Sequence, residues 1–373
     1  MKKIVFITGT RADYGKLKTL IRVVEATPGY EPYIYVTGMH MLKRYGYTAQ
    51  EVLKDGYFNI YMNINQHVGD HMEVALANTV KGVSHYIHEI DPDLIVVHGD
   101  RLEALAGSIV GAFTNTLVAH VEGGELSGTI DDSIRHSISK MSHVHFVCND
   151  EAFDRLHRMG ESRENIYVIG SPDYDVMFNS KLPVIDDVLN YYEIPFKEYG
   201  IVLFHPVTTE AQHFSEYSRM LVEAVNRSGK NFIAVYPNND EGSEYIIKAY
   251  EEFNSDKVKV FPSLSFERFI VLLKNCSLMV GNSSAGIREA PCYGIPTINI
   301  GDRQNKRFKH KSILDVDYET DSLLLAIQKH WGLDYSDCRV NQFGSGDSAE
   351  KFISCLNEGS IWKTSIQKVA FDD

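Results

Sequence analysis

The chain lacks long apolar runs, an excess of positive charge and a cysteine framework, and each absence removes a class of function. No stretch approaches the roughly 20 apolar residues that a bilayer-spanning helix needs. Met1-Lys2-Lys3 runs directly into the strand-like Ile4-Val5-Phe6-Ile7, too short for the apolar core of a signal peptide. A cytoplasmic location and no membrane partner are therefore expected. Lys and Arg number 37 against 50 Asp and Glu, a net charge of -13, so the basic face that nucleic acid requires is not expected. The five cysteines (Cys148, Cys276, Cys292, Cys338 and Cys355) are odd in number and show no Cys-x-x-Cys spacing. They read as reduced core thiols rather than metal ligands or disulfide partners. Neither G-x-G-x-x-G nor G-x-x-x-x-G-K-[ST] occurs, which argues against a dinucleotide or P-loop site.

What is present is a regular alternation. At 373 residues the chain is long for one core, and short β-branched runs alternate with helical patterns from the first residue, the mark of parallel βαβ units. Strands are expected at 4–8, 33–37, 94–98, 117–121, 143–148 and 166–169, then at 201–205, 232–236, 258–261, 278–281 and 297–300. Helical patterns lie between them, at 16–26, 101–113, 133–141, 151–159, 216–227, 243–253, 265–275 and 285–293. The stretch 182–199, with Pro183, Pro195 and Asp186-Asp187, breaks the rhythm and reads as a linker. The expectation is an α/β protein of two doubly wound, Rossmann-like domains, 1–181 and 200–350, with a C-terminal tail 351–373 that folds back on the first domain. The active site is expected in the cleft between them.

The polar motifs fall after strands. Gly9-Thr10-Arg11-Ala12-Asp13, Gly38-Met39-His40, Gly99-Asp100-Arg101, Glu122-Gly123-Gly124 and Gly170-Ser171-Pro172-Asp173 do so in the first half. His205-Pro206-Val207-Thr208, Pro237-Asn238-Asn239-Asp240, Pro262-Ser263, Gly281-Asn282-Ser283-Ser284-Ala285-Gly286 and Gly301-Asp302-Arg303 do so in the second. Open α/β sheets bind ligands beyond the carboxyl ends of their strands.

The Gly281 loop leads into a helix and is read as an anion site: free backbone N–H groups face the positive end of the dipole. Ser283 or Ser284 caps the helix and can donate to phosphate, Gly281 and Gly286 permit close approach, and Glu289 can accept from ribose hydroxyls. Arg303, or Arg11 with Gly9, can clamp a diphosphate. Taken alone, this loop is equally an ordinary helix cap without ligand. Asp100, Glu122 and Asp131 are read as proton-transfer groups, since acid–base work needs carboxylates in unlike settings. A single Asp after a strand is more often a helix cap; three in one half, with Arg135 and His136 a turn beyond Asp131, favour catalysis. Glu125 and Asp132 are neighbouring alternatives. His205 can donate to a leaving diphosphate or a sugar hydroxyl. His67, His71, His85 and His88 lack metal spacing and read as residues of solvated helix faces.

These motifs carry a resemblance. Thr8-Gly9-Thr10-Arg11-Ala12-Asp13, Val36-Thr37-Gly38-Met39-His40, His98-Gly99-Asp100-Arg101, Glu122-Gly123-Gly124-Glu125, Arg135-His136-Ser137, Phe204-His205-Pro206, Gly281-Asn282-Ser283-Ser284 and Ile300-Gly301-Asp302-Arg303-Gln304 span nearly the whole chain in order. Together they resemble the UDP-N-acetylglucosamine 2-epimerase family, within it the hydrolysing bacterial branch that makes N-acetylmannosamine for sialic acid synthesis. The non-hydrolysing branch usually has alanine after the glutamate and arginine-rich sequence after the second-domain histidine. Gly123-Gly124 and Pro206-Val207-Thr208-Thr209 depart from both. The resemblance implies a GT-B-like fold, no metal or other cofactor, and a homodimer. It maps catalysis onto Asp100, Glu122, Asp131 and His205, and nucleotide contacts onto Arg11, Ser283, Ser284, Gly286, Glu289 and Arg303; Gly9, Arg135, Asn239 and Ser263 are further candidate substrate contacts. Rival readings are a non-hydrolysing epimerase, a hydrolysing epimerase of a UDP-diacetamido sugar, a GT-B glycosyltransferase and a nucleotide-sugar-binding regulator without turnover.

Overall fold

The computed structural model describes residues 1–178, 181–304 and 306–370. The chain forms two compact units, one of Met1–Glu125, Asp131–Ser180 and Gln342–Asp373, the other of Leu126–Ile130 and Lys181–Asn341.

In the first unit, β1 (Lys2–Thr8), β2 (Tyr30–Val36), β3 (Ile60–Met62), β4 (Leu94–His98), β5 (Leu117–Val121), β6 (Val144–Val147) and β7 (Ile166–Val168) form one sheet in the order β3-β2-β1-β4-β5-β6-β7. Every pairing is parallel. All five positions of β4 and of β5 are buried, as expected of strands covered on both faces by crossover helices. Alternation along β1 shows the two layers. Ile4 and Phe6 face a core shared with Leu17, Leu20 and Val24 of helix Arg11–Ala26, whereas Val5 and Ile7 face Val83 and Ile87 of helix Met72–Ile90 and Val110 of helix Leu102–Thr114.

In the second unit, β8 (Gly200–Leu203), β9 (Phe232–Val235), β10 (Val258–Phe261), β11 (Leu278–Gly281), β12 (Thr297–Ile300) and β13 (Ile313–Val316) form a second parallel sheet, ordered β10-β9-β8-β11-β12-β13. Val202, Val280 and Ile298 from its central strands share a core with Leu221, Ala224 and Val225 of helix Phe214–Ser228. In both sheets the strand order reverses beside the first strand, at β1/β4 and β8/β11, the topological position where α/β proteins build ligand sites.

Several expectations are corrected. Strands β3 and β13 were not anticipated, and the 19-residue helix Met72–Ile90 was expected only through the solvated helix faces assigned to its histidines, without bounds. Both strands lie at sheet edges and are part-exposed; β3 is only three residues long and β13 is interrupted by Asp315, so neither shows a long apolar run. The helix buries Ala75, Thr79, Val83, Tyr86 and Ile87, a face too small and polar to stand out. The stretch 182–199 is no free linker: it contains helix Ile185–Tyr191, buries Val188 and Tyr199, and belongs to the second unit. The return to the first unit comes at Gln342 rather than after 350. Helix Ser348–Glu358 returns because its apolar face needs cover: Phe352 is fully buried with its ring 4.8 Å from that of Phe146, and the Asp175 carboxylate accepts the N–H groups of Ser348 and Ala349 at 2.8 Å each. Residues 371–373 of the expected tail lie outside the described residues.

Phe352→Ala is expected to lower the unfolding free energy by about 3–5 kcal/mol, the usual cost of emptying a buried aromatic site. Urea titration followed by far-UV circular dichroism measures it, and a change under about 1 kcal/mol would mean that the returning helix is not part of this core.

Candidate active site

The first group of candidate residues is set by strand register. β4 and β5 pair with His98 opposite Val121, so the residues just beyond them leave the sheet together at its carboxyl edge. After β4 the chain turns through Gly99, and after β5 through Glu122 itself, whose φ of +63° is left-handed. A non-glycine residue there is uncommon and is held by its surroundings. The Glu122 N–H donates to the Phe146 carbonyl at 2.8 Å, and its own carbonyl accepts from Nη1 of Arg135 at 2.6 Å. The other end of the same guanidinium, Nη2, pairs with the Asp100 carboxylate. Arg135 is buried on helix Ile130–Met141, one face of which packs into the first unit through Ile138. One arginine thus ties the Asp100 carboxylate to the backbone carbonyl of Glu122.

The two carboxylates sit in unlike settings. The Asp100 side chain is 20% exposed, that of Glu122 only 3%. Ser171 donates through Oγ to Oε1 of Glu122. Oε2 lies 3.1 Å from Nε2 of His98 and 3.5 Å from Nζ of Lys16, which is itself 2.7 Å from the buried carboxylate of Asp173. His120, beneath the loop, bonds the Gly99 carbonyl through Nε2 (2.7 Å) and Ser139 Oγ through Nδ1 (3.0 Å). Desolvation holds it well below the usual histidine range, so its ring is neutral. Sequence reasoning did not assign Lys16, His98, Ser171 or Asp173 to the site. The strand-end motif Gly170–Asp173 was the available signal.

Asp131 lies in the first turn of helix Ile130–Met141, one turn before Arg135, because that helix begins before the expected start at 133. Asp132, its neighbour, is 3.6 Å from Nε2 of His136 across one turn, while Glu125 is buried. His67 precedes helix Met72–Ile90, His71 is its N-cap, His85 and His88 lie within it, and all four are exposed.

Arg11 and Gly9 belong to the β1 loop. Asp13 organises it, accepting from Thr8 Oγ1 (2.5 Å), Gly9 N (3.0 Å) and Thr10 N (3.0 Å). The Arg11 guanidinium pairs with Glu51. Gly9 is glycine because of a neighbour: a Cβ there would lie 2.7 Å from Cγ of buried Glu103. The motifs at residues 8–13 and 36–40 are one structure, since His40 Nε2 contacts Thr8 Oγ1 at 3.0 Å and its Nδ1 contacts Thr48 Oγ1 at 2.7 Å.

In the second unit the carboxyl edge carries, in strand order, Ser263, Asn239, His205, the loop Asn282–Ser284 and Arg303. β8 and β11 are adjacent, with Gly281 opposite Leu203, which brings His205 beside Asn282. Their bonds are reciprocal: His205 N–H donates to Asn282 Oδ1 (2.7 Å) and Asn282 Nδ2 donates to the His205 carbonyl (2.8 Å). The Asn282 carbonyl in turn accepts from Arg303 Nη1 at 3.2 Å and Gln304 Nε2 at 2.6 Å. His205 Nδ1 accepts the Asn238 N–H at 3.1 Å, so the neutral ring carries its proton on Nε2 and presents a donor there. Asn239 and Ser263 are half-buried.

The anion loop differs from expectation in two respects. The helix over 285–293 is broken at Glu289 into Ala285–Arg288 and Ala290–Tyr293, with Pro291 in the second turn, so no long dipole points at the loop. What remains is local. Ser283 Oγ accepts the Ala285 N–H at 3.3 Å, Ser284 is half-exposed, and among the described residues the N–H groups of Ser283 and Ser284 donate to no protein acceptor. Gly281 and Gly286 serve the fold: a Cβ at Gly281 would lie 2.7 Å from the Leu203 carbonyl carbon, and one at Gly286 would lie 2.6 Å from Thr297 Cγ2. Glu289 is buried at the break. Among the described residues no group of three or more His, Cys, Asp or Glu side chains could hold a metal ion, and no helix is long and apolar enough to cross a membrane.

Two parallel-sheet units of this topology define the GT-B-like class of α/β proteins. The solved structure of the Methanocaldococcus jannaschii UDP-GlcNAc 2-epimerase in complex with UDP-GlcNAc and UDP superposes with a TM-score of 0.80 at 22% identity, covering 96% of this chain and 100% of that one. A family model described as UDP-N-acetylglucosamine 2-epimerase matches residues 22–357. The chain is 50% identical over 375 residues to the UDP-N-acetylglucosamine 2-epimerase of Neisseria meningitidis serogroup B, covering 100% of this chain and 99% of that protein. It is 32% identical over 366 residues to the UDP-N,N'-diacetylbacillosamine 2-epimerase (hydrolyzing) of Legionella pneumophila, covering 95% and 96%. The chain belongs to the UDP-N-acetylglucosamine 2-epimerase family.

Burial pushes the fully enclosed His40 down to about 4. The unfolded chain binds that proton near pH 6.5 and the folded one does not, so this contribution to stability is complete above about pH 6.5 and is lost as pH falls towards 4. Long-range nitrogen–proton NMR of a histidine-labelled sample should show His40 neutral at pH 5, and a charged ring at that pH would contradict the assignment.

Proposed function

We propose that the protein is a hydrolysing UDP-N-acetylglucosamine 2-epimerase, converting UDP-N-acetylglucosamine and water into N-acetylmannosamine and UDP, the entry step to sialic acid. The observation that carries this reading is the joining of Asp100 and Glu122 through Arg135, two carboxylates of unequal exposure at neighbouring strand ends.

The chemistry needs such a pair. A carboxylate takes the proton from C2; the C–H electron pair becomes the C1=C2 double bond, and the C1–O pair departs with UDP, leaving 2-acetamidoglucal. The C2 proton is not acidic, so departure of UDP runs ahead of deprotonation and positive charge develops at C1. Water oxygen then bonds C1 and gives up a proton, while C2 takes a proton from the opposite face. Two opposed proton transfers require more than one carboxyl group, and we assign them to Asp100, Glu122 and Asp131. The His205 Nε2 donor, the Ser283 and Ser284 N–H groups and Arg303 are suited to the negative charge that gathers on the leaving diphosphate. We assign Arg11, Asn239, Ser263 and Glu289 to the nucleotide.

The hydrolysing mode is supported by Gly123. A Cβ at that position would lie 2.8 Å from Nδ1 of His120 and 3.1 Å from Ser139 Oγ, so the alanine usual in the non-hydrolysing branch has no room without moving the histidine under the Asp100 loop. The Legionella relative, named as hydrolysing, supports it as well.

Proton NMR of the protein with UDP-N-acetylglucosamine in deuterated water tests the proposal. Free N-acetylmannosamine with deuterium at C2, plus UDP, is the expected result. UDP-N-acetylmannosamine at equilibrium with substrate would place the protein in the non-hydrolysing mode, and turnover confined to a UDP-diacetamido sugar would change the substrate. Asp100→Asn and Glu122→Gln should each lower kcat by about 100-fold or more, with the UDP dissociation constant by calorimetry within about threefold of wild type, because neither side chain belongs to the anion loop.

A further inference from the structure

The strand-end motif Gly170–Asp173 has no part in the chemistry above, yet it reaches the buried carboxylate of Glu122. We propose that Ser171 and Lys16 are positioning residues that aim Glu122 and keep it ready to accept a proton, with Asp173 orienting Lys16 and the returning C-terminal segment holding the loop in place. The proposal rests on the reading of Glu122 as a proton-transfer group and assigns it the accepting role.

The geometry is specific to the two oxygens. Oε1 receives the Ser171 hydroxyl, and Ser171 is fully buried. Oε2 faces His98 Nε2 at 3.1 Å and Lys16 Nζ at 3.5 Å. Lys16 comes from helix Arg11–Ala26 and is 12% exposed; it stands nearer to Asp173, at 2.7 Å, than to Glu122. Asp173 and Lys16 therefore form a near-neutral pair whose cationic end is directed at Glu122. The remaining charged groups lie on other elements: Arg135 binds the Glu122 carbonyl rather than its carboxylate, Asp100 is already neutralised by that arginine, and His120 is neutral. An ammonium and a hydroxyl donor on a desolvated carboxylate both favour its ionised form, and a general base must be ionised before the reaction begins.

The loop is pinned from the far end of the sequence. Ser171 N–H donates to the Phe343 carbonyl at 2.5 Å, Gly170 adopts φ +86°, and a Cβ at Gly170 would lie 3.1 Å from Cα of Gly344 and 3.2 Å from Ser348 Oγ. Asp175, on the helix that follows, caps the returning helix through Ser348 and Ala349. This gives the C-terminal return a consequence at Glu122 as well as in the core.

The test uses full-length wild type and the variants Ser171→Ala, Lys16→Gln and Lys16→Arg. Infrared difference titration of each against its own Glu122→Gln counterpart reads the protonation of Glu122 without substrate. The midpoint should rise by about one unit or more in Ser171→Ala and Lys16→Gln and return towards wild type in Lys16→Arg. In turnover, the acid limb of the kcat profile should move to higher pH in the same two variants, with KM within about threefold. Unchanged midpoints in both variants, or a loss of kcat equal at every pH, would overturn the proposal. Should wild type release no N-acetylmannosamine, the functional reading fails separately, because the infrared titration needs no reaction. Lys16 is on the rim of the cluster, so its two variants keep the question open to test even where Ser171→Ala fails to fold.

Discussion

The site in the first unit depends on where one guanidinium sits. Arg135 bonds the carbonyl of Glu122 and the carboxylate of Asp100, residues carried by loops after different strands. Without it, nothing in the covalent chain would fix those loops relative to each other, and Glu122 would lose a bond that supports its left-handed backbone. A buried arginine is itself costly unless its charge is paired, and here Nη1 and Nη2 hold the Glu122 carbonyl and the Asp100 carboxylate. The helix that carries Arg135 is therefore a part of the candidate site as well as a cover for the sheet through Ile138.

The second unit joins its strand ends with a neutral side chain, that of Asn282. Asn282 joins the ends of β8 and β11 through its side chain and gathers Arg303 and Gln304 on its carbonyl. The contrast has a physical basis. Negative charge accumulating on a leaving diphosphate calls for N–H donors and arginine held rigid beforehand, whereas moving protons calls for carboxylates in unlike dielectric settings. Each sheet carries its candidate groups at the carboxyl edge beside its own reversal of strand order, so the proposed division of labour follows from the winding of the fold.

What could be read from the sequence is what proximity along the chain encodes. Central strands such as β4 and β5 are continuous apolar runs because both faces are covered, and both were placed to the residue. Edge strands β3 and β13 are part-exposed and left no such trace. Among the candidate residues, Asp100, Glu122 and His205 are recognisable because each follows directly on a strand. Ser171 and Lys16 are not, since their contacts with Glu122 span 49 and 106 residues and neither type is diagnostic alone. The glycines misled in the opposite direction. Gly281 and Gly286 suggested room for a ligand, but the space they leave is filled by Leu203 and Thr297 of the protein itself. The break at Glu289 did leave a trace: Pro291 falls inside the expected helix over 285–293, where a proline removes a backbone donor and interrupts the helix, and in the structure it opens a separate turn, Ala290–Tyr293.

The central claim is that these residues serve an elimination at the sugar, with cleavage of the bond from C1 to oxygen rather than of the bond from phosphorus to oxygen. UDP-N-acetylglucosamine carrying oxygen-18 in that bridge, followed by phosphorus NMR through its isotope shift, tests it most directly. The account predicts that the label leaves with UDP, on the β-phosphate. Label retained on C1 of the sugar, with unlabelled UDP, would mean attack at phosphorus and would contradict the roles assigned to Asp100, Glu122 and Arg135.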